Sequence, residues 1–113
     1  MAGNVPPSGV SKNAQSKFVN ATATGNTALV PAPEASAKIR VLALVLTSTL
    51  DSTVKFQSGT TDISSAFPVG ALGGMVLPFN EYGWFECAKG QALNFNQSVA
   101  SITGCTVVYC LVY

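Results

Sequence analysis

The sequence contains no histidine among its 113 residues. Histidine is the commonest general base and the commonest metal ligand, so its absence removes every Ser-His or Cys-His nucleophile arrangement. The chain has five acidic residues, Glu34, Asp51, Asp62, Glu81 and Glu86. Glu81 and Glu86 could approach each other across a predicted turn, but a calcium site needs more oxygen ligands in a tighter cluster. We therefore expect no enzymatic activity, no metal and no cofactor.

Phosphate-binding motifs are also absent. Residues 70–74 read Gly-Ala-Leu-Gly-Gly, but no Lys or Ser/Thr follows at the spacing of a phosphate loop and no helix is predicted there.

Charge is scarce in this chain. Charged residues make up 10% of it, against about 25% in a typical soluble domain, while the hydrophobic fraction is 48%. So few charges cover a monomer's surface poorly, and we expect other protein to cover part of it. The net charge of +1 does not indicate nucleic acid, an anionic membrane or an acidic small-molecule substrate as a partner.

Long apolar runs and paired cysteines are lacking as well. No run approaches the ~20 residues of a membrane-spanning helix, and residues 1–17 lack the apolar centre of a secretory signal. We therefore expect a soluble protein made in a cytosol. The three cysteines, Cys87, Cys105 and Cys110, have no CxxC spacing, and we interpret them as buried reduced thiols. Cys105 and Cys110 should face opposite sides of one strand.

The longest apolar run predicts a central strand over residues 38–49. Every side chain from Val41 to Leu46 is apolar, so neither the odd nor the even positions form a face made for water. We therefore expect this strand to be buried on both faces. A helix is the competitor, but the run is short, ends in Thr-Ser-Thr and is followed at once by another strand-like stretch.

Residues 105–113, rich in β-branched and aromatic side chains, predict a second inner strand. In a further strand over residues 53–57, Val54 and Phe56 should face inward and Lys55 and Gln57 outward. Residues 67–74 are interpreted as a loop. With turn signals every eight to twelve residues and no capped helical periodicity, the sequence predicts an all-β fold, an antiparallel β-sandwich of jelly-roll type with eight or nine short strands.

The first residues cannot form a core of their own, because they contain Pro6-Pro7 and only Val5 and Val10 as branched aliphatic side chains. We divide the chain into an extended N-terminal arm, residues 1–17, and a β-sandwich domain, residues 18–113. The residues predicted to contact another protein subunit are Val5, Pro6, Pro7, Val10, Lys12, Lys17 and Phe18.

An aromatic segment over residues 79–85 allows two interpretations. Asn80, Tyr82 and Trp84 together suit a carbohydrate-stacking surface, because exposed rings beside amides bind sugars. Alternatively, Trp84 and Phe85 fill the sandwich core or a subunit interface, which we favour.

Three stretches carry a resemblance to a known group of proteins. They are Val-Lys-Phe-Gln-Ser-Gly (residues 54–59), Gly-Gly-Met-Val-Leu-Pro-Phe (73–79) and Gly-Trp-Phe-Glu-Cys-Ala-Lys-Gly-Gln-Ala-Leu-Asn-Phe (83–95). The chain resembles, over about residues 38–113, small β-sandwich proteins encoded among the virion genes of tailed bacteriophages. Such modules serve as capsid decoration (cement) proteins and as pieces of tail fibres or adaptors.

The resemblance implies a non-enzymatic virion protein made in the host bacterial cytoplasm. We expect a decoration protein on the capsid surface, with the major capsid protein and further copies of itself, in a homotrimer, as partners. The alternative is a tail-fibre or adaptor module that binds a receptor or glycan.

Overall fold

The computed structural model describes residues 14–113, and every regular element within that range is a β-strand. The ten strands are β1 (Gln15–Ala21), β2 (Gly25–Val30), β3 (Lys38–Ser48), β4 (Ser52–Ser58), β5 (Thr61–Asp62), β6 (Phe67–Val69), β7 (Gly73–Leu77), β8 (Phe85–Glu86), β9 (Leu93–Gln97) and β10 (Thr103–Val112).

These strands form two antiparallel sheets that pack against each other. The first sheet has the order β1-β10-β3-β7, and β8 also pairs with β3. The second sheet has the order β2-β9-β4-β5, and β6 also pairs with β4. The predicted all-β sandwich is therefore confirmed. The two predicted inner strands, now β3 and β10, are neighbours in the middle of the first sheet, as expected.

Strand number and boundaries differ from the prediction in two places. The structure has ten strands rather than eight or nine, because β6 and the start of β7 occupy residues predicted to be a loop. Because of Pro68, the sequence did not predict β6. The strand lies at a sheet edge, where a proline removes no hydrogen bond between inner strands. The first strand begins at Gln15, within the range assigned to the arm, because Gln15 pairs with Tyr109 and its side chain accepts a hydrogen bond from the Tyr109 hydroxyl at 3.1 Å.

A β-bulge in β3 changes which positions of its apolar run face the core. Val41 pairs with Tyr109 but Ala43 pairs with Val108, so Leu42 is an extra residue without a partner on β10. Before the bulge Val41 faces the core, and after it Leu44 does, so the inward positions change from odd to even. The predicted burial of both faces is wrong beyond the bulge. Val45 and Thr47 point away from the core and are exposed in this chain.

The core between the sheets centres on Phe56. Its ring lies 5.1 Å from that of Phe85, 6.2 Å from that of Phe67 and 6.4 Å from that of Phe95, measured between ring centroids. Tilted aromatic pairs at such distances add to the free energy gained from burial alone. Phe56 and Phe95 are fully buried, so this cluster joins the two sheets through β4, β6, β8 and β9.

A buried amide holds the end of β9 against the start of β10. The Gln97 side chain is inaccessible to solvent and donates hydrogen bonds to the carbonyls of Ala23 (2.8 Å) and Ser101 (3.0 Å). Its Oε1 accepts a bond from the Thr103 hydroxyl at 2.6 Å. Because these buried groups satisfy one another, the amide fixes the reversal between the two strands without an unpaired polar atom at Gln97.

We predict that Phe56→Ala lowers the free energy of unfolding by about 3–5 kcal/mol, since it leaves a cavity among three aromatic rings. Urea unfolding followed by tryptophan fluorescence measures the change. The matched control is Phe18→Ala, which removes the same atoms from a ring that is 74% exposed. Equal losses in the two variants would show that the Phe56 cluster does not dominate the core.

Candidate interaction surface

Part of the outer side of the first sheet, beside residues 43–47 of β3, carries no charged side chain, and Arg40 and Glu86 lie outside this part. The outward positions of β1, β10, β3 and β7 line up in three cross-strand rows, which we call the uncharged face. The rows are Ser16, Val108 and Ala43; Phe18, Thr106, Val45 and Val76; and Asn20, Gly104, Thr47 and Gly74.

The middle row of the uncharged face is strongly solvent-accessible. Phe18 is 74% exposed, Val45 43% and Val76 66%. An open cleft of about 250 Å³ runs along Ala43, Val45, Val76, Val108 and the half-exposed Phe79. Contiguous apolar surface of this kind, in place of isolated exposed residues, is typical of a protein–protein contact.

The outer surface of the second sheet is polar by contrast. Lys55 and Asp62 form an ion pair at 3.2 Å, and the Asn96 amide donates to Asn26 Oδ1 at 2.6 Å. Hydrogen bonds from Gln57 and Lys55 lower the pKa of Asp62. We call this surface the polar face. It is suited to water, so the two faces of the sandwich have different environments.

On the polar face, the expected solvent exposure of Gln57 is wrong. It was predicted to face water, but it is only 6% exposed, and its Nε2 donates to Asp62 Oδ1 at 2.8 Å. The two-residue strand β5 pairs with the end of β4 and places Asp62 beside Gln57 in the sheet.

A cluster of paired charges lies in β3 and β8, on the N-terminal side of the bulge. Arg40 Nε lies 2.5 Å from Glu86 Oε2, and Lys38 Nζ lies 3.5 Å from Glu86 Oε1. Gly83 adopts φ +86°, and a Cβ there would stand 2.5 Å from Arg40 Cγ. Glycine at this position therefore lets the turn over residues 80–83 pass close to β3, where Asn80 N donates to the Leu42 carbonyl at 2.9 Å.

The predicted arm contacts fall into two groups. Val5, Pro6, Pro7, Val10 and Lys12 lie outside the described residues.

Lys17 and Phe18 are both exposed on β1 but point to opposite sides of the strand. Lys17 pairs with Val107, whose side chain faces the core, whereas Phe18 pairs with the outward-facing Thr106. Only Phe18 therefore joins the uncharged face.

The predicted glycan residues share one exposed segment. Tyr82 is 78% exposed and Trp84 is 44% exposed, so Trp84 does not fill the core. Phe85, in contrast, packs against the core. The polar groups beside these rings already have partners within the chain. The Trp84 indole N–H donates to the Pro78 carbonyl at 2.7 Å, and Asn80 Oδ1 accepts from Tyr82 N at 2.9 Å.

The acidic residues do not gather in a cleft. One cleft, of about 580 Å³, has Glu86 as its one acidic residue, beside Lys38, Ser58 and Gln91. Another, of about 440 Å³, has Asp51 as its one acidic residue. Within residues 14–113 no group of three or more Cys, Asp or Glu side chains has metal-binding geometry. In the glycine-rich loop, Asp51 Oδ1 accepts a hydrogen bond from Ala71 N at 2.7 Å, so a carboxylate stands where a phosphate loop would hold an anion.

Sequence reasoning missed Val45, Val76 and Phe79 as surface residues. Val45 lies in the run that we expected to be buried, and Val76 lies on a strand for which no outward face was predicted. The only signal was the general shortage of charge, which predicts covered surface without locating it.

No protein-family model, no curated protein and no solved structure matches this chain. In the part of the chain that the structure describes, no helix has the length and apolarity needed to cross a membrane.

All three cysteines are buried and free, as predicted. Burial raises the pKa of the Cys87 thiol to about 11 and that of Cys105 to about 12, because the thiolate would lose its hydration. Cys105 lies in the core cluster.

We predict that the folded protein reacts only slowly with a thiol-specific disulfide reagent at pH 8. Relative to an ordinary pKa of 9.0, the Cys87 thiolate is about a hundredfold rarer and the Cys105 thiolate about a thousandfold rarer. Absorbance of the released reagent measures the rate, and the same protein in denaturant, with all three thiols reacting, is the control. Fast reaction of two or three thiols in the folded state would contradict the burial.

Proposed function

We propose that the protein is a non-enzymatic structural subunit of a bacteriophage virion, a decoration protein that binds the capsid shell. The observation that carries this proposal is the uncharged face, with Phe18, Val45 and Val76 exposed, in a chain with 10% charged residues. Exposed apolar surface of this kind marks a protein contact, as expected of a subunit that works within an assembly. The resemblance noted in the sequence adds the kind of assembly.

The fold that we propose within the β-sandwich class is the jelly roll. Its support is the nested strand pairing, in which β1 pairs with β10, β2 with β9, β3 with β7 and β8, and β4 with β5 and β6. Such pairing is the one expected when a long hairpin rolls into two sheets, and it therefore supports a jelly roll.

The partners that we propose are the major capsid protein and further copies of this chain, in the homotrimer that the resemblance implies. Binding that bridges neighbouring shell subunits stabilises the assembled state by mass action. On the capsid surface, the N-terminal arm would add buried area to that contact.

We predict that the full chain binds purified shells that lack it, and that removing residues 1–13 weakens binding at least about tenfold. This truncation leaves β1 whole, because the strand begins at Gln15. Occupancy is measured by co-sedimentation with shells over a concentration series. The control has the full length but serine at Val5, Pro6, Pro7 and Val10, which separates the loss of these side chains from the loss of chain length.

If the truncated protein occupies shells as fully as the full chain, the arm does not contribute to shell binding. Failure of the full chain to bind any shell would overturn the decoration role itself.

A second candidate function is receptor or glycan binding by a tail-fibre module. The exposure of Tyr82 and Trp84 on one segment favours it, because both rings are free to stack on a sugar.

For this function we predict glycan-array binding that falls at least about tenfold in Trp84→Ala, through loss of the stacking surface. Trp84→Phe keeps an aromatic face and should retain part of the binding. Far-ultraviolet circular dichroism checks that each variant is folded. Equal binding by the wild type and Trp84→Ala, or no bound glycan, would exclude this site.

A further inference from the structure

We propose that the uncharged face is the surface through which one copy of this chain packs, face to face, against a second copy. The inference rests on the proposed function, in which the chain acts as an assembled subunit, and it names the partner of one surface. The trimer implied by the resemblance does not follow from this contact, because a flat face closes with one partner and a three-fold assembly needs another surface.

Charge is the first argument for a second copy as the partner. The three rows hold no charged side chain, so a partner with acidic or basic groups would bury them there without a counter-ion. The nearby charges of Arg40, Lys38 and Glu86 are already paired with one another. A second copy presents the same uncharged rows, and a face-to-face pair leaves no charge desolvated.

Shape is the second argument. The middle row projects Phe18, Val45 and Val76, while the flanking rows consist of short side chains and glycines except for Val108 and Asn20. Thr106 lies between Phe18 and Val45 in this middle row. In a two-fold contact each surface patch meets its own copy, so the central row of one chain crosses the central row of the other near Thr106.

The area of the face sets the expected strength of the contact. Four strands about 4.8 Å apart, with rows about 6.6 Å apart, give about 400 Å² per copy and about 800 Å² per pair. That is below the roughly 1,200–2,000 Å² of a stable complex. We therefore expect a pair that forms at high protein concentration and dissociates on dilution. On a shell, the high local concentration of neighbouring copies would maintain it.

The experiment compares two exposed threonines on opposite faces. Thr106 lies at the centre of the uncharged face, and Thr53 is exposed on β4 with its side chain on the polar side. Thr106→Lys places a charge in the proposed contact, while Thr53→Lys is the matched control. Sedimentation equilibrium without shells, at up to about 1 mM protein, should give the wild type and Thr53→Lys twice the mass of Thr106→Lys. The dissociation constant of the pair should be at least about tenfold higher for Thr106→Lys than for the other two proteins. Equal masses for the two variants would overturn the proposal, as would a wild type that stays at 11.6 kDa throughout.

A cross-linking measurement tests the two-fold geometry. Since the native thiols are buried, a cysteine introduced by Thr106→Cys or Thr53→Cys would be the exposed one. Under mild oxidation we expect a disulfide-linked pair from Thr106→Cys and almost none from Thr53→Cys. Equal cross-linking of the two variants would overturn the face-to-face contact.

The two proposals fail separately. If copies pair in buffer but the full chain does not bind shells, only the decoration role is overturned. If the chain binds shells but never forms a pair, only the proposed face-to-face contact is overturned.

Discussion

The pairing of β3 with β10 is the constraint on which the rest of the structure depends. These two strands are the inner members of the first sheet, and β1 and β7 are added on either side of them. The bulge at Leu42 shifts their register once, so that Ile39 and Val41 enter the core on one side of it and Leu44 and Leu46 on the other. Without that shift, half of β3 would present its large side chains to the wrong face.

The same bulge shapes both ends of the first sheet. On one side of it, the turn at residues 80–83 lies beside β3, and Arg40 and Lys38 both pair with Glu86. On the other side, Ala43, Val45 and Thr47 turn outward and form part of the uncharged face. The functional proposal follows from this division, since an outward row of valines and a phenylalanine is costly to leave in water and favourable to cover with protein.

The inner and outer sides of the two sheets have different environments. Their inner sides meet around Phe56 and are sealed near one end by the hydrogen bonds of Gln97. On the outer side of the second sheet, the Asn96–Asn26 and Lys55–Asp62 contacts pair polar and charged groups, although the buried Gln57 Oε1 has no partner among the described residues. The outer side of the first sheet has no such network among its three rows. The two outer sides of the sandwich therefore differ, and the association proposed for the first sheet would cover its exposed apolar residues.

The sequence by itself determined the strand character of this chain and its inner pair of strands. Alternation at Val54 and Phe56, β-branched residues near the C-terminus and frequent turn signals depend only on local geometry, which the sequence records directly. Shortage of charge also predicted covered surface. Only the tertiary structure decided which apolar residues are exposed, because the outward direction of Val45 depends on a bulge that is defined by pairing with β10. The exposure of Trp84 was decided in the same way, since burial depends on which distant segments fold over a side chain, and no local pattern specifies them.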